Sequence, residues 1–120
     1  MTLSEIHGQL SNAVILYTVI LGLWGIYGFT QRRGVSEGYW GALVIAELLI
    51  LAEGFLGGYL WAQGIRPTRW VHVLYGVTTA LGIPAVYVYT RGRERRAENL
   101  AYGSAALLVA LLTYRAVVTG

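Results

Sequence analysis

Four long apolar segments restrict what this chain can fold into more than any other feature. They run from Asn12 to Phe29, from Tyr39 to Ala62, from Trp70 to Tyr89 and from Leu100 to Val118. A helix needs about 20 mostly apolar residues to cross a bilayer core that is about 30 Å thick. The segments are about that long, so we predict an all-α membrane protein with four transmembrane helices.

Composition leaves little material for any other kind of domain. Of the 120 residues, 56% are hydrophobic and 12% are charged, which is too little polar surface for a soluble globule of this size. The connections between the segments are short, so we expect residues 1–120 to form a single transmembrane domain and not an enzyme. The sequence has no cysteine, which excludes disulfides and thiolate metal sites.

The arginines predict how the helices are oriented. Six lie in the connections after the first and third segments, and three lie on the opposite side. The six are Arg32, Arg33, Arg91, Arg93, Arg95 and Arg96, and the three are Arg66, Arg69 and Arg115. Positive charge collects in cytoplasmic loops, so we expect an inner (plasma) membrane protein with both termini on the non-cytoplasmic side. The basic cluster is then a topology signal in contact with lipid, and not a nucleic-acid-binding surface.

A weak internal repeat relates the first two segments to the last two. The matching positions are Leu16, Tyr17 and Val19 with Leu74, Tyr75 and Val77, Gly25 and Ile26 with Gly82 and Ile83, and Gly41 with Gly103. Two hairpins that start on the same side are parallel repeats, related by an axis along the membrane normal. We therefore predict a four-helix bundle built from two parallel helical hairpins, residues 12–62 and 70–118.

Ionisable residues inside the segments are the first candidates for a functional site. The repeat offset places Glu53 and Arg115 at equal depth, where each would be costly alone, so we predict a buried ion pair. The alternative is that the Arg115 side chain extends to the nearby outer surface. Glu47 has no partner evident from the sequence, and it shares a helix face with Gly54 and Gly58. A buried Glu47 would be protonated, or would serve as a proton-relay or cation-binding carboxylate.

The two histidines are the second candidates. His7 precedes the first apolar segment and His72 begins the third, so topology places both on the non-cytoplasmic side. A b-type haem needs two imidazoles from different segments, and this is the pair the chain offers. The alternative is that each is a hydrogen-bonded residue at the membrane interface.

Three functions follow from these features. The first is a non-enzymatic accessory subunit that packs into a larger membrane complex, of respiratory or photosynthetic electron transport, or into a homo-oligomer. The second is a small cytochrome that binds haem b through His7 and His72. The third is an oligomeric transporter or channel that uses Glu47 or Glu53.

Overall fold

A computed structural model describes residues 2–64 and 70–119 of the chain. Within those ranges the secondary structure is entirely α-helical, as predicted. Its helices are α1 (Leu3–Thr30), α2 (Glu37–Ala62), α3 (Val71–Thr90) and α4 (Arg96–Thr119). Each of these four described helices is long and apolar enough to span a membrane. Arg66 and Arg69, which entered the orientation argument, lie outside the described residues.

Helix α1 begins at Leu3, well before the predicted segment starts at Asn12. The Thr2 side chain caps the helix by accepting a hydrogen bond from the Glu5 backbone N–H at 3.1 Å. The added turns are polar, so a search for apolar runs does not detect them. The consequence is that His7 lies inside α1, and the expectation that it precedes the first helix is wrong.

Helices that follow one another in the chain run antiparallel, and α4 returns to pack against α1. The arginine end of the molecule carries the connections 31–36 and 91–95, and the histidine end carries the starts of α1 and α3. Of the four pairs of described helices that are in contact, α1 and α4 pack most closely and α2 and α3 contact each other least. The helices are therefore packed tightly at the α1–α4 interface and loosely at the α2–α3 interface.

Glycine makes the close approach of α1 and α4 possible. A β-carbon at Gly25 would lie 2.8 Å from the Asn99 carbonyl oxygen and 2.9 Å from the Cα of Gly103. A β-carbon at Gly103 would lie 2.9 Å from the Gly22 carbonyl oxygen. Neither helix can carry a side chain at this crossing. Small residues allow this close approach between membrane helices.

The arginine end is tied together by hydrogen bonds between its two connections. The Val35 backbone N–H donates to the Glu94 carbonyl oxygen at 2.9 Å. The Asn99 side-chain amide donates to the Arg33 carbonyl oxygen at 2.8 Å. These bonds satisfy backbone groups that lie at the edge of a low-dielectric region, where an unmade hydrogen bond is costly.

The core is apolar and lies mainly between α1, α2 and α4. It consists of Leu21, Val35, Tyr39, Leu43, Ala46, Ile83, Tyr102 and Ala106, with a smaller cluster of Val14, Ile50 and Val109. Much apolar surface stays outside this core, since only 11% of the most apolar stretch of α3 is buried. Exposure of so much apolar surface to water is unfavourable, which is consistent with a membrane protein.

Candidate functional site

A cavity of about 880 Å³ opens at the histidine end, and residues of all four described helices line it. The starts of α1 and α3 and the ends of α2 and α4 meet there. Residues that line it include His7, Ser11, Glu53, Gly54, Gly57, Gly58, His72, Gly76 and Thr79. A volume of this size is typical of cofactor sites, which range from about 300 to 1,000 Å³.

Glycines leave parts of the cavity wall without side chains. A β-carbon at Gly54, Gly58 or Gly76 would meet no heavy atom within 4 Å, so these glycines do not serve contact between the described helices. A β-carbon at Gly57 would lie 3.2 Å from Cε1 of His7, so the His7 ring lies over the backbone of α2. The rest of the wall carries side chains, among them Ile50, Phe55, Trp61 and Val77, so the cavity is largely apolar.

His7 is held by Glu53 across the gap between α1 and α2. Its Nδ1 atom lies 2.5 Å from Oε1 of Glu53, and both side chains are largely buried. The Ser11 hydroxyl, one turn along α1, donates to Oε2 of the same carboxylate. The Ser11 hydroxyl also lies 3.0 Å from the His7 carbonyl oxygen. Nδ1 and Oε1 are close together without the geometry of a hydrogen bond, so Glu53 holds the ring through its charge and position.

His72 is held in the same way by a different acceptor. Its Nδ1 atom lies 2.5 Å from the carbonyl oxygen of Ala116 in α4. A carbonyl oxygen has no proton to give, so the ring must carry its proton on Nδ1. The Nδ1 atom of each ring therefore lies beside a protein oxygen, and Nε2 is the other atom with which a histidine binds metals.

The two rings lie next to one another in an edge-on arrangement. Their centroids are 6.3 Å apart and their planes make an angle of 72°. Two imidazoles on opposite sides of one metal have centroids about 6 Å apart, because each metal–nitrogen bond is about 2 Å long and each nitrogen lies about 1 Å from its ring centre. No family model, curated protein or solved structure matches this chain. The function must therefore be argued from the site itself.

The donor set distinguishes a haem from a bare metal ion. In the part of the chain that the structure describes, no group of three or more His, Cys, Asp or Glu could hold a metal ion. Two imidazoles are too few ligands for a tetrahedral zinc site, but they are ligands that would hold a b-type haem. The volume of the cavity would accommodate such a ring.

The other predicted residues lie apart from this pair. Arg115 is exposed on α4, next in sequence to Ala116, and the Glu53 carboxylate lies against His7 and Ser11. The pairing of Glu53 with Arg115 stays a prediction. Glu47 is half-buried in α2, and its Oε1 atom has no hydrogen-bond partner among the described residues. Thr79, which lines the cavity, likewise has a buried hydroxyl without a partner in that part of the chain.

The sequence analysis singled out His7 and His72 as candidates without the contacts around them. The crossing of α1 and α2 brings Glu53 beside His7, and the pairing of Glu53 with Arg115 stays a prediction from the repeat offset. The Ala116 carbonyl gives no sequence signal, since any residue would supply it. One sequence signal for the contact between Glu53 and His7 is their depth along the helices, because both lie within a few turns of the histidine end.

Proposed function

We propose that this protein binds a b-type haem between His7 and His72 and transfers electrons within a membrane. The observation that carries the proposal is the pair of imidazoles, each with Nδ1 engaged by the protein and with ring centroids 6.3 Å apart in one cavity. The haem would supply a one-electron redox change at its iron. The chain itself would orient both imidazoles and exclude water from the iron.

The proposed internal repeat adds support from a different direction. In a four-helix bundle of two parallel hairpins, α1 is equivalent to α3 and α2 is equivalent to α4. The α2–α3 contact is then the counterpart of the α1–α4 contact, yet one is open and the other is closed by glycine. Gly41, the counterpart of Gly103 in this repeat, would have open space around an added β-carbon. The two interfaces therefore differ, and the cavity is one place where the open interface leaves room for a ligand.

The test is the visible absorption spectrum of the protein expressed with an adequate haem supply and purified in mild detergent. We expect a Soret band with the reduced α and β bands of six-coordinate haem. We expect His7→Ala and His72→Ala each to lose about 90% or more of the bound haem, because one axial ligand holds it far less tightly than two. Gln9→Ala is the matched control, since Gln9 is an exposed residue two positions from His7 and should leave the spectrum unchanged.

Two results would overturn the proposal. One is a wild-type protein that folds, keeps its helical circular dichroism and shows no Soret band. The other is full haem binding in the double variant His7→Ala, His72→Ala, which would place the haem elsewhere. Methionine replacements at the two positions provide a second measurement, since an axial Met raises the reduction potential if the site is the one proposed.

A second candidate function is that of a non-enzymatic subunit in a larger membrane complex of electron transport, and it is compatible with the first. Glu47 favours it, because a carboxylate oxygen without a partner among the described residues is costly inside a membrane. A neighbouring subunit that donates a hydrogen bond there would remove that cost. Recovery of the native protein only as a free monomer, by native mass spectrometry of the source membrane, would contradict this role.

A further inference from the structure

A second cavity lies at the opposite end of the molecule, and it does not depend on the proposed haem site. Its volume is about 530 Å³, and it is formed where α3 ends and α4 begins. Its walls are Ala85 and Val86 from α3 and Ala97 and Ala101 from α4, with Arg93 and Arg95 from the connection. One part of this cavity is therefore apolar and the other is cationic.

The position of the cavity matches the boundary between hydrocarbon and headgroups. Both α3 and α4 are long and apolar enough to span a membrane, and the cavity begins near the last residue of α3, Thr90, and the first residues of α4. Ala85 and Ala101 each lie one to two turns inside those helix ends. A molecule in this cavity would lie partly beside aliphatic side chains and partly beside arginine.

The arginines near the cavity differ in what else they bind. Arg96 is committed to α1, where its Nε donates to the Phe29 carbonyl oxygen at 2.8 Å and its guanidinium lies 4.0 Å from the Phe29 ring centroid. Arg93 donates through Nε to Glu98 at 3.0 Å, but its side chain is still 46% exposed. Arg95 is exposed and has no side-chain partner within the described ranges.

The acidic groups nearby do not cancel this charge. Glu98 lines the cavity, but its side chain is only 5% exposed and it is held by Arg93. Residues 91–98 contain four arginines and two glutamates, Glu94 and Glu98, so the segment keeps a net charge of +2. The charge of Arg93 is balanced by Glu98, and the net charge of +2 remains on the other residues, of which Arg95 lines the cavity.

We propose that this cavity binds a phospholipid with an anionic headgroup. Arg95 and the outer nitrogens of Arg93 bind the phosphate, because guanidinium groups match phosphate oxygens in geometry and charge. One acyl chain lies in the apolar groove between Ala85 and Ala101. Basic pockets between membrane helices at the headgroup level recognise anionic lipids in this manner.

The experiment is native mass spectrometry of the full-length protein after delipidation, with phosphatidylglycerol and phosphatidylcholine added in equal amounts. We expect a bound phosphatidylglycerol in clear excess over phosphatidylcholine. Arg95→Gln should lower the bound fraction of phosphatidylglycerol about fivefold, which is the contribution of one arginine near an anionic lipid. Ala101→Phe should lower the binding of both lipids, because it fills the apolar groove.

Arg91→Gln is the matched control, because Arg91 is exposed in the same connection but does not line the cavity. It should keep binding within twofold of the wild type, and melting curves of the delipidated variants check that each is folded. Equal loss of binding in Arg91→Gln and Arg95→Gln would overturn the proposal in favour of general surface attraction. Equal binding of the two lipids would overturn it too, as would protection against unfolding by glycerol phosphate or inorganic phosphate as strong as that by phosphatidylglycerol.

Discussion

At the scale of single residues, the arrangement around His7 and His72 is asymmetric. Both rings use Nδ1 for a protein contact, but His7 meets the carboxylate of Glu53 and His72 meets the backbone carbonyl of Ala116. A carboxylate makes the imidazole more basic than a carbonyl does, and it brings negative charge near the metal. The two axial positions of the proposed haem would therefore differ in donor strength.

Replacing Glu53 tests this asymmetry. We expect Glu53→Gln to shift the haem reduction potential to a more positive value, because loss of the negative charge destabilises ferric iron relative to ferrous iron. We also expect haem affinity to fall by about tenfold or more, as is usual when a residue that orients a ligand is removed. Potentiometric titration followed by absorption spectroscopy measures the first effect, and haem transfer to apomyoglobin measures the second.

Glu5→Gln is the control for this prediction, since Glu5 is an exposed carboxylate on the same helix, two residues before His7. It should change neither the potential nor the affinity by a comparable amount. An unchanged potential in a haem-loaded Glu53→Gln protein would show that this carboxylate does not act on the iron. The role assigned to Glu53 would then be limited to packing.

At the scale of helices, the α1–α4 interface is closed and the α2–α3 interface is open, and glycine has opposite roles in the two. Gly25 and Gly103 are required at the α1–α4 crossing because backbone atoms occupy the space of any side chain. Gly41 on α2 has no heavy atom within 4 Å of an added β-carbon, so it has no such constraint. The same residue type is therefore essential in one helix and replaceable in another.

The pair Gly25→Ala and Gly41→Ala measures this difference. We expect Gly25→Ala to destabilise the protein by about 2 kcal/mol or more, because the added methyl would meet the Asn99 carbonyl, the Gly103 Cα and the Tyr39 hydroxyl. Gly41→Ala should be neutral, or stabilising by up to about 1 kcal/mol, since alanine is the better helix former. Thermal or denaturant unfolding in detergent gives both values. Equal effects would mean that α1 and α4 are not in this close contact.

The helices were predictable from the sequence because an apolar run long enough to cross a bilayer has few alternatives. Helix ends were less predictable, and α1 was placed too late because its first turns, with Glu5 and His7, are polar. The pairing of the histidines followed from topology alone. The contacts of Glu53 did not, because they depend on the crossing and rotation of α1 against α2, and a repeat offset does not determine these.

At the scale of the whole molecule, orientation in the membrane decides which compartment faces the proposed haem and which faces the anionic-lipid site. The arginine connections predict the cytoplasm at one end, so the haem lies near the other surface. Electrons would then reach the haem from, or leave it toward, the non-cytoplasmic side. The lipid site would face the leaflet in which anionic headgroups are concentrated.

Cysteine labelling tests this orientation cleanly because the chain has no cysteine of its own. We expect Gln63→Cys, at the histidine end, to react with a membrane-impermeant maleimide on intact cells. Gln31→Cys, at the arginine end, should react only after the membrane is permeabilised. Both glutamines are exposed and each follows the last residue of its helix, so they are matched in environment. The reverse pattern would place the termini in the cytoplasm.

The gap between α2 and α3 also affects the order in which the protein would mature. The α1–α4 crossing and the hydrogen bonds at the arginine end involve no residue that lines the cavity, so they would form in the protein without haem. In a protein whose four described helices span the membrane, an opening between α2 and α3 would face the bilayer. Haem dissolved in the membrane could then enter sideways, and cofactor loading would be a late step that requires no unfolding.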